Sequence, residues 1–189
     1  MRTSPRIRRL ATAATALAAG GLMLLPVPAV AHPAAPADPG PVSGASFQLV
    51  NAQTGKCATV AGGVSTANNT ELVQFSCDTH PSRRWVLTHY NGRSYQLVND
   101  QTDKCATVAG GESVENNVGL VQFTCDSHPS RRWRVTNWDS ASSSYQIVNA
   151  GTGLCMTVAG GVSTDNNVRL VQYDCDSHPS RRWSLRLAG

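Results

Sequence analysis

The chain writes nearly the same forty residues three times, and few folds accept such an arrangement. The copies open as SFQLVN at Ser46, SYQLVN at Ser94 and SYQIVN at Ser144, and each ends in CDTHPSRRW or CDSHPSRRW. Their first cysteines lie 48 and then 50 residues apart. Between Ser46–Trp85 and the next copy, ten of forty positions differ, so all three copies must build the same structure.

One copy reads as strands and turns. FQLV, ATVA, LVQF and WVLT are short runs rich in β-branched and aromatic residues, separated by Gly, Asn, Asp, Ser and Pro. No apolar period of 3.6 residues persists over ten positions after residue 46. Asn91-Gly92, between the first two copies, carries the signal of a two-residue hairpin. Four strands in each of three copies predict about twelve. Three propeller blades are too few to close a ring, whereas three four-stranded units can close around a threefold axis as a β-trefoil. The expected fold is all-β, a β-trefoil of repeats 46–93, 94–143 and 144–189 with pseudo-threefold symmetry.

The first 45 residues are of another kind. Arg2, Arg6, Arg8 and Arg9 precede an Ala/Leu-rich stretch and then Ala29-Val30-Ala31, the layout of a secretory signal peptide over residues 1–31. Residues 32–45, HPAAPADPGPVSGA, read as a Pro/Ala-rich linker. The expectation is a secreted monomer, cleaved near Ala31 and not inserted in a membrane. Removing the leader changes the charge. Of sixteen basic residues four leave with it, and twelve remain against twelve acids. A chain without net charge offers no basic field for nucleic acid.

The six cysteines fall as Cys57/Cys77, Cys105/Cys125 and Cys155/Cys175, twenty positions apart in every copy. In an exported domain that spacing predicts three disulfides inside the repeats, each contributing roughly 3 kcal/mol. The rival is zinc, because Cys77-Asp78-Thr79-His80 has C-x-x-H spacing. Two cysteines and one histidine per repeat fall short of a four-ligand structural site, so no metal and no cofactor is expected.

An early N-x-x-T-G-K-C, then V-Q-aromatic-x-C, then a closing x-x-W, three times over, resembles the ricin B-type lectins. The resemblance spans Ser46 to Gly189 and implies a carbohydrate-binding β-trefoil with a glycan or polysaccharide as partner. The family's sugar-gripping aspartate falls at Thr59, Thr107 and Thr157. Its Asn-Gln before the closing tryptophan falls at Ser82-Arg83, Ser130-Arg131 and Ser180-Arg181. The aromatic two residues before the second cysteine is kept as Phe75, Phe123 and Tyr173, a surface suited to the C–H face of a pyranose. The expected carbohydrate sites group Thr59, Asn69, Phe75 and His80, then Thr107, Asn117, Phe123 and His128, then Thr157, Asn167, Tyr173 and His178.

Several of these residues have a second reading. His80, His128 and His178 precede proline, so turn packing competes with ligand contact. Asn69 and its copies could cap a turn or offer an amide to a sugar. Asp78 can pair with Arg83 or Arg84. Trp85, Trp133 and Trp183 are expected in the core. Gly62-Gly63 is a turn and no phosphate loop, since no helix follows. No Ser/His/Asp trio or recurring carboxylate pair is discernible, which argues against an enzyme. The alternative class is a trefoil that binds a secreted protein, such as a protease inhibitor. The charge balance yields a first prediction: the mature chain should elute from heparin or DNA columns below about 0.2 M salt, and firm retention above it would contradict the neutral-surface reading.

Overall fold

The computed structural model describes residues 40–188. The leader and the first part of the linker, residues 1–39, lie outside the described residues, as does Gly189. Twelve strands and three 3-10 turns follow one another with the period of the repeats. The first repeat holds β1 (Ser46–Asn51), β2 (Cys57–Val60), β3 (Leu72–Phe75) and β4 (Trp85–Thr88). The second holds β5 (Gln96–Asn99), β6 (Cys105–Val108), β7 (Leu120–Phe123) and β8 (Trp133–Asp139). The third holds β9 (Ser144–Asn149), β10 (Cys155–Val158), β11 (Leu170–Tyr173) and β12 (Arg182–Leu187). The 3-10 turns Pro81–Arg83, Pro129–Arg131 and Pro179–Arg181 precede the last strand of each repeat.

Six strands close a barrel. β1 pairs with β4, β4 with β5, β8 with β9, β9 with β12 and β12 with β1, while a Tyr95–Trp133 bridge joins β5 to β8. The hairpins β2–β3, β6–β7 and β10–β11 meet one another through the bridges Glu71–Val121, Gly119–Val171 and Val73–Arg169. This is the β-trefoil. Closure leaves the barrel no free edge, which short strands on their own would present to other chains.

Most strands are buried along nearly their whole length. Leu49, Leu72, Leu87, Leu97, Leu120, Ile147 and Leu170 fill the core with the three tryptophans. The indole N–H of each repeat-closing tryptophan finds a backbone acceptor across its own repeat: Trp85 donates to Ala58 at 3.0 Å, Trp133 to Ala106 at 2.9 Å and Trp183 to Met156 at 2.9 Å. The bond explains how a tryptophan can be buried whole without an orphaned donor. Disulfides Cys57–Cys77, Cys105–Cys125 and Cys155–Cys175 lie within the repeats, as the spacing predicts. With every cysteine so bonded, no thiolate remains for a C-x-x-H metal site.

The repeats are joined by three glutamines from the V-Q-aromatic motif, Gln74, Gln122 and Gln172, all 0% exposed. Gln74 Nε2 donates to the Ser163 and Asp165 carbonyls of the third repeat, both at 2.8 Å. Gln122 reaches Ser65 and Ala67 of the first repeat, at 2.7 and 2.9 Å, and Gln172 reaches Ser113 and Glu115 of the second, at 2.7 and 2.9 Å. Within its own repeat each amide oxygen accepts from a threonine, Thr54, Thr102 or Thr152. Both ends of the amide are thus satisfied, one at home and one next door.

One local expectation differs from the structure. Asn91-Gly92 does not form a two-residue hairpin. Thr88 pairs with Gln96, so the connection runs over seven residues, and Asn91 Oδ1 caps it by accepting from the Arg93 and Ser94 N–H groups. The barrel's closing bridge at Tyr95 sets the longer span, overriding the local turn preference. Residues 41–45 are tied to the barrel: Tyr95 Oη donates to Pro41 O at 3.2 Å and Gly44 N to Leu87 O at 2.6 Å. The two extra residues before the third copy enter the β8–β9 connection, where pairing shifts between Thr136 and Asp139. There the Asp139 carboxyl is held below its ordinary range by the Ser142 hydroxyl and then the Ala141 N–H.

Symmetry also breaks at the threefold axis. The equivalent positions before Leu72, Leu120 and Leu170 are Glu71, Gly119 and Arg169. Arg169 Nε pairs with Glu71 Oε1 at 3.3 Å, and a Cβ on Gly119 would lie 2.9 Å from the Arg169 guanidinium.

The glutamines are the joints a stability measurement should expose. Gln122→Leu leaves two loop carbonyls and the Thr102 hydroxyl without their partner, and should cost about 2–3 kcal/mol in urea unfolding. The same change at exposed Gln53 should cost less than about 0.5 kcal/mol. Equal effects at the two positions would contradict the joint.

Candidate functional site

Three clefts recur by the threefold symmetry. The first repeat's is lined by Thr59, Gly62, Gly63, Phe75, His80 and Arg83, and encloses about 150 Å³. Its copies centre on Phe123 and Tyr173 and enclose about 260 and 470 Å³. Each lies where the β2–β3-type hairpin faces its own 3-10 turn. Pairing of β2 with β3 sets Thr59 opposite Val73 and Cys57 opposite Phe75, with the adjacent disulfide clamping the strand end.

The threonines lie at the clefts' buried floor. Thr59, Thr107 and Thr157 are 2, 2 and 3% exposed. Thr59 Oγ1 donates to Ser82 O at 3.0 Å and lies 3.0 Å from Ser82 Oγ; Thr107–Ser130 and Thr157–Ser180 repeat the pattern. The residues replacing the family's aspartate and asparagine therefore touch each other. The two polar positions form one small internal hydrogen-bonded pair.

The histidines hold the turn and face the cleft at once. His80 Nδ1 accepts the Ser82 backbone N–H at 3.2 Å and lies 2.9 Å from Ser82 Oγ, capping the 3-10 turn; His128 and His178 do the same. An acceptor at Nδ1 puts the neutral ring's proton on Nε2, so the remaining edge is a donor. Both readings of the histidine meet in one ring. Gly63, Gly111 and Gly161 sit at φ of 78°, 82° and 76°, and a Cβ there would come within 3.2–3.3 Å of the serine Oγ. The Gly-Gly turn is what lets the loop approach this network.

An arginine roofs the aromatic ring. The Arg83 guanidinium lies 4.5 Å from the Phe75 centroid, as do Arg131 over Phe123 and Arg181 over Tyr173. It also pairs with the aspartate after the second cysteine: Arg83–Asp78 at 3.2 Å, Arg131–Asp126 and Arg181–Asp176 at 3.4 Å. Arg83, rather than Arg84, is the partner of Asp78. Arg84 instead donates to the Thr79 carbonyl.

The asparagines belong to different sites from those their sequence positions suggest. Asn69 lines the Phe123 cleft, Asn117 the Tyr173 cleft and Asn167 the Phe75 cleft. Grouping Asn69 with Thr59, Phe75 and His80 is therefore corrected: each site takes its asparagine from a neighbouring repeat. The reason lies in the loop. Asn69 N donates to Gln122 O at 2.9 Å and Asn68 Oδ1 accepts from Thr124 N at 3.0 Å, which carries the Asn-Asn corner across the boundary. Asn69, Asn117 and Asn167 hold φ near 66°, a left-handed backbone that asparagine tolerates better than most residues. Sequence reasoning found the residue types but overlooked Asp126, Asp176 and the three arginines as cleft walls. The C-D-x-H-P-S-R string, invariant across the copies in its polar members, was the available signal.

The fold is that of a lectin-type β-trefoil. The profile of the ricin-type beta-trefoil lectin domain matches residues 45–183, and the chain belongs to that family. Comparison with curated proteins gives no match. Among solved structures it is similar to the designed threefold-symmetric protein ThreeFoil, at 22% identity and a TM-score of 0.69, covering 75% of this chain and 97% of that one. It is similar to the Macrolepiota procera ricin B-like lectin in complex with lactose, at 13% identity and a TM-score of 0.66, covering 78% and 99%. An exo-beta-1,3-galactanase from Clostridium thermocellum shares 25% identity at a TM-score of 0.70, over 76% of this chain but only 30% of the enzyme.

The exchange of asparagines between sites can be tested without a ligand. Asn69→Gly keeps the left-handed backbone while removing the amide. It should shift the imidazole NMR signals of His128 and leave those of His80 in place; the opposite pattern would return Asn69 to the first cleft.

Proposed function

We propose that the protein is a secreted, non-enzymatic lectin that holds glycans at the three symmetry-related clefts, each weakly. The observation that carries this is the recurrence of one polar and aromatic set, Phe or Tyr with Arg, His and a neighbour's Asn, on a domain of a lectin family. An aromatic ring suits the apolar C–H face of a pyranose, and the His Nε2–H and Asn amide suit its hydroxyls. The clefts are small for single-site affinity; only the Tyr173 cleft, at about 470 Å³, reaches the usual range of small-ligand pockets. Three such sites on one rigid domain favour a repeating polysaccharide, where simultaneous engagement raises avidity. The lactose bound by the Macrolepiota procera lectin makes galactosides the first probes.

A glycan array probed with the mature protein tests the reading, and silence across neutral and charged glycans alike would overturn it. The triple variant Phe75→Ala, Phe123→Ala, Tyr173→Ala should abolish array binding while the tryptophan core stays folded. A folded triple variant that binds at full strength would place the sites elsewhere. Of the single changes, Tyr173→Ala should weaken binding most, because its cleft is the largest.

A further inference from the structure

The family's acceptor position is closed here, since Thr59, Thr107 and Thr157 are buried and their hydroxyls engaged by serines. A sugar hydroxyl entering the cleft still needs a strong acceptor, because the groups already described are mostly donors: the His Nε2–H, the guanidinium and one half of an amide. We propose that Asp126 and Asp176, which line the second and third clefts, supply it, each as one arm of a carboxylate–guanidinium pair, and that the pair selects a neutral sugar with adjacent hydroxyls. This rests on the lectin reading above.

The geometry separates the two members of the pair. The arginine side chains are 11, 11 and 13% exposed, while the aspartates are 50, 52 and 53% exposed. Asp126 and Asp176 line their clefts directly. Each carboxylate is fixed before any ligand arrives. Asp78 Oδ1 accepts the His80 backbone N–H at 2.9 Å, Asp126 that of His128 at 2.8 Å, and Asp176 that of His178 at 2.8 Å. The arginine contacts fall on the same Oδ1. Oδ2, which takes neither of these contacts, is the oxygen left for a ligand hydroxyl, and a charged acceptor makes the stronger kind of hydrogen bond.

Charge then sets the ligand class. The arginine is itself anchored: Arg83 Nη1 donates to Ser82 Oγ at 2.9 Å, and Arg131 and Arg181 Nε donate to the carbonyls of Thr124 and Asp174 at 3.1 Å. One carboxylate and one guanidinium leave each cleft without net charge, and in the second repeat exposed Glu112 follows Gly111 at the rim. An acidic sugar would meet a half-exposed carboxylate beside an arginine that is already paired. A neutral diol can give one hydroxyl hydrogen to Oδ2 and accept from the guanidinium or imidazole beside it.

The test uses the mature protein and an array printed with lactose and other neutral oligosaccharides beside their sialylated counterparts. The wild type should bind neutral spots in preference. Asp126→Asn, Asp176→Asn, combined, keeps the Oδ1 acceptor for the histidine N–H groups and should lower neutral-glycan binding at least tenfold with little change in Tm. The combined Asp→Glu variant retains the charge but displaces the oxygen, and should lose binding comparably, which keeps the test sound if the Asn variant is unstable. Undiminished binding by either folded variant, or a preference for the sialylated spots, overturns the pair while leaving the lectin reading intact. A wild type that binds no spot overturns both.

Discussion

Gln74, Gln122 and Gln172 make the bonds on which everything else in this molecule leans. A buried amide that fails to find partners is costly, and each of these finds a threonine in its own repeat and two carbonyls in another. The loops so gripped, 65–70, 113–118 and 163–168, end in the asparagines that complete the neighbours' clefts. The same contact therefore joins the repeats and assembles the clefts. A single repeat lacks both: its hairpin has no amide to hold its loop, and its cleft has no asparagine.

A second dependence runs through the serine of H-P-S-R. Ser82 and its copies are fully buried and touch threonine, histidine and arginine together in the first and third repeats. The small hydroxyl permits the Gly-Gly turn to pass within van der Waals distance, fixes the imidazole tautomer and steadies the guanidinium over the aromatic ring. The departures from the family pattern at Thr59, Ser82 and Arg83 thus form one change. Each makes chemical sense only beside the others.

Much of the fold was legible because repetition carried it. The strand runs, the equal cysteine spacing and the closing tryptophans each have a local physical signature, and three copies exclude most ways of arranging them. What stayed hidden was long-range. Nothing near Asn69 in the chain shows that Gln122 will pull its loop into another repeat, and nothing near Asn91-Gly92 shows that Tyr95 must reach Trp133. The Arg83 stack on Phe75 joins residues eight apart across a turn whose path the 3-10 geometry decides. Residue types at the sites were readable, then, and partnerships were not.

The trio on the threefold axis gives the chain a history and a direction. Three glutamates meeting there would repel, and so would three arginines; Glu71, Gly119 and Arg169 coexist because they differ. A trefoil assembled from three separate copies of any one of these repeats would put three identical residues at that point. The first and third repeats would bring like charges together, and the second would bring only glycines and no ion pair. At that one point the three repeats are no longer interchangeable, and the Glu71–Arg169 pair exists only because the first and third differ.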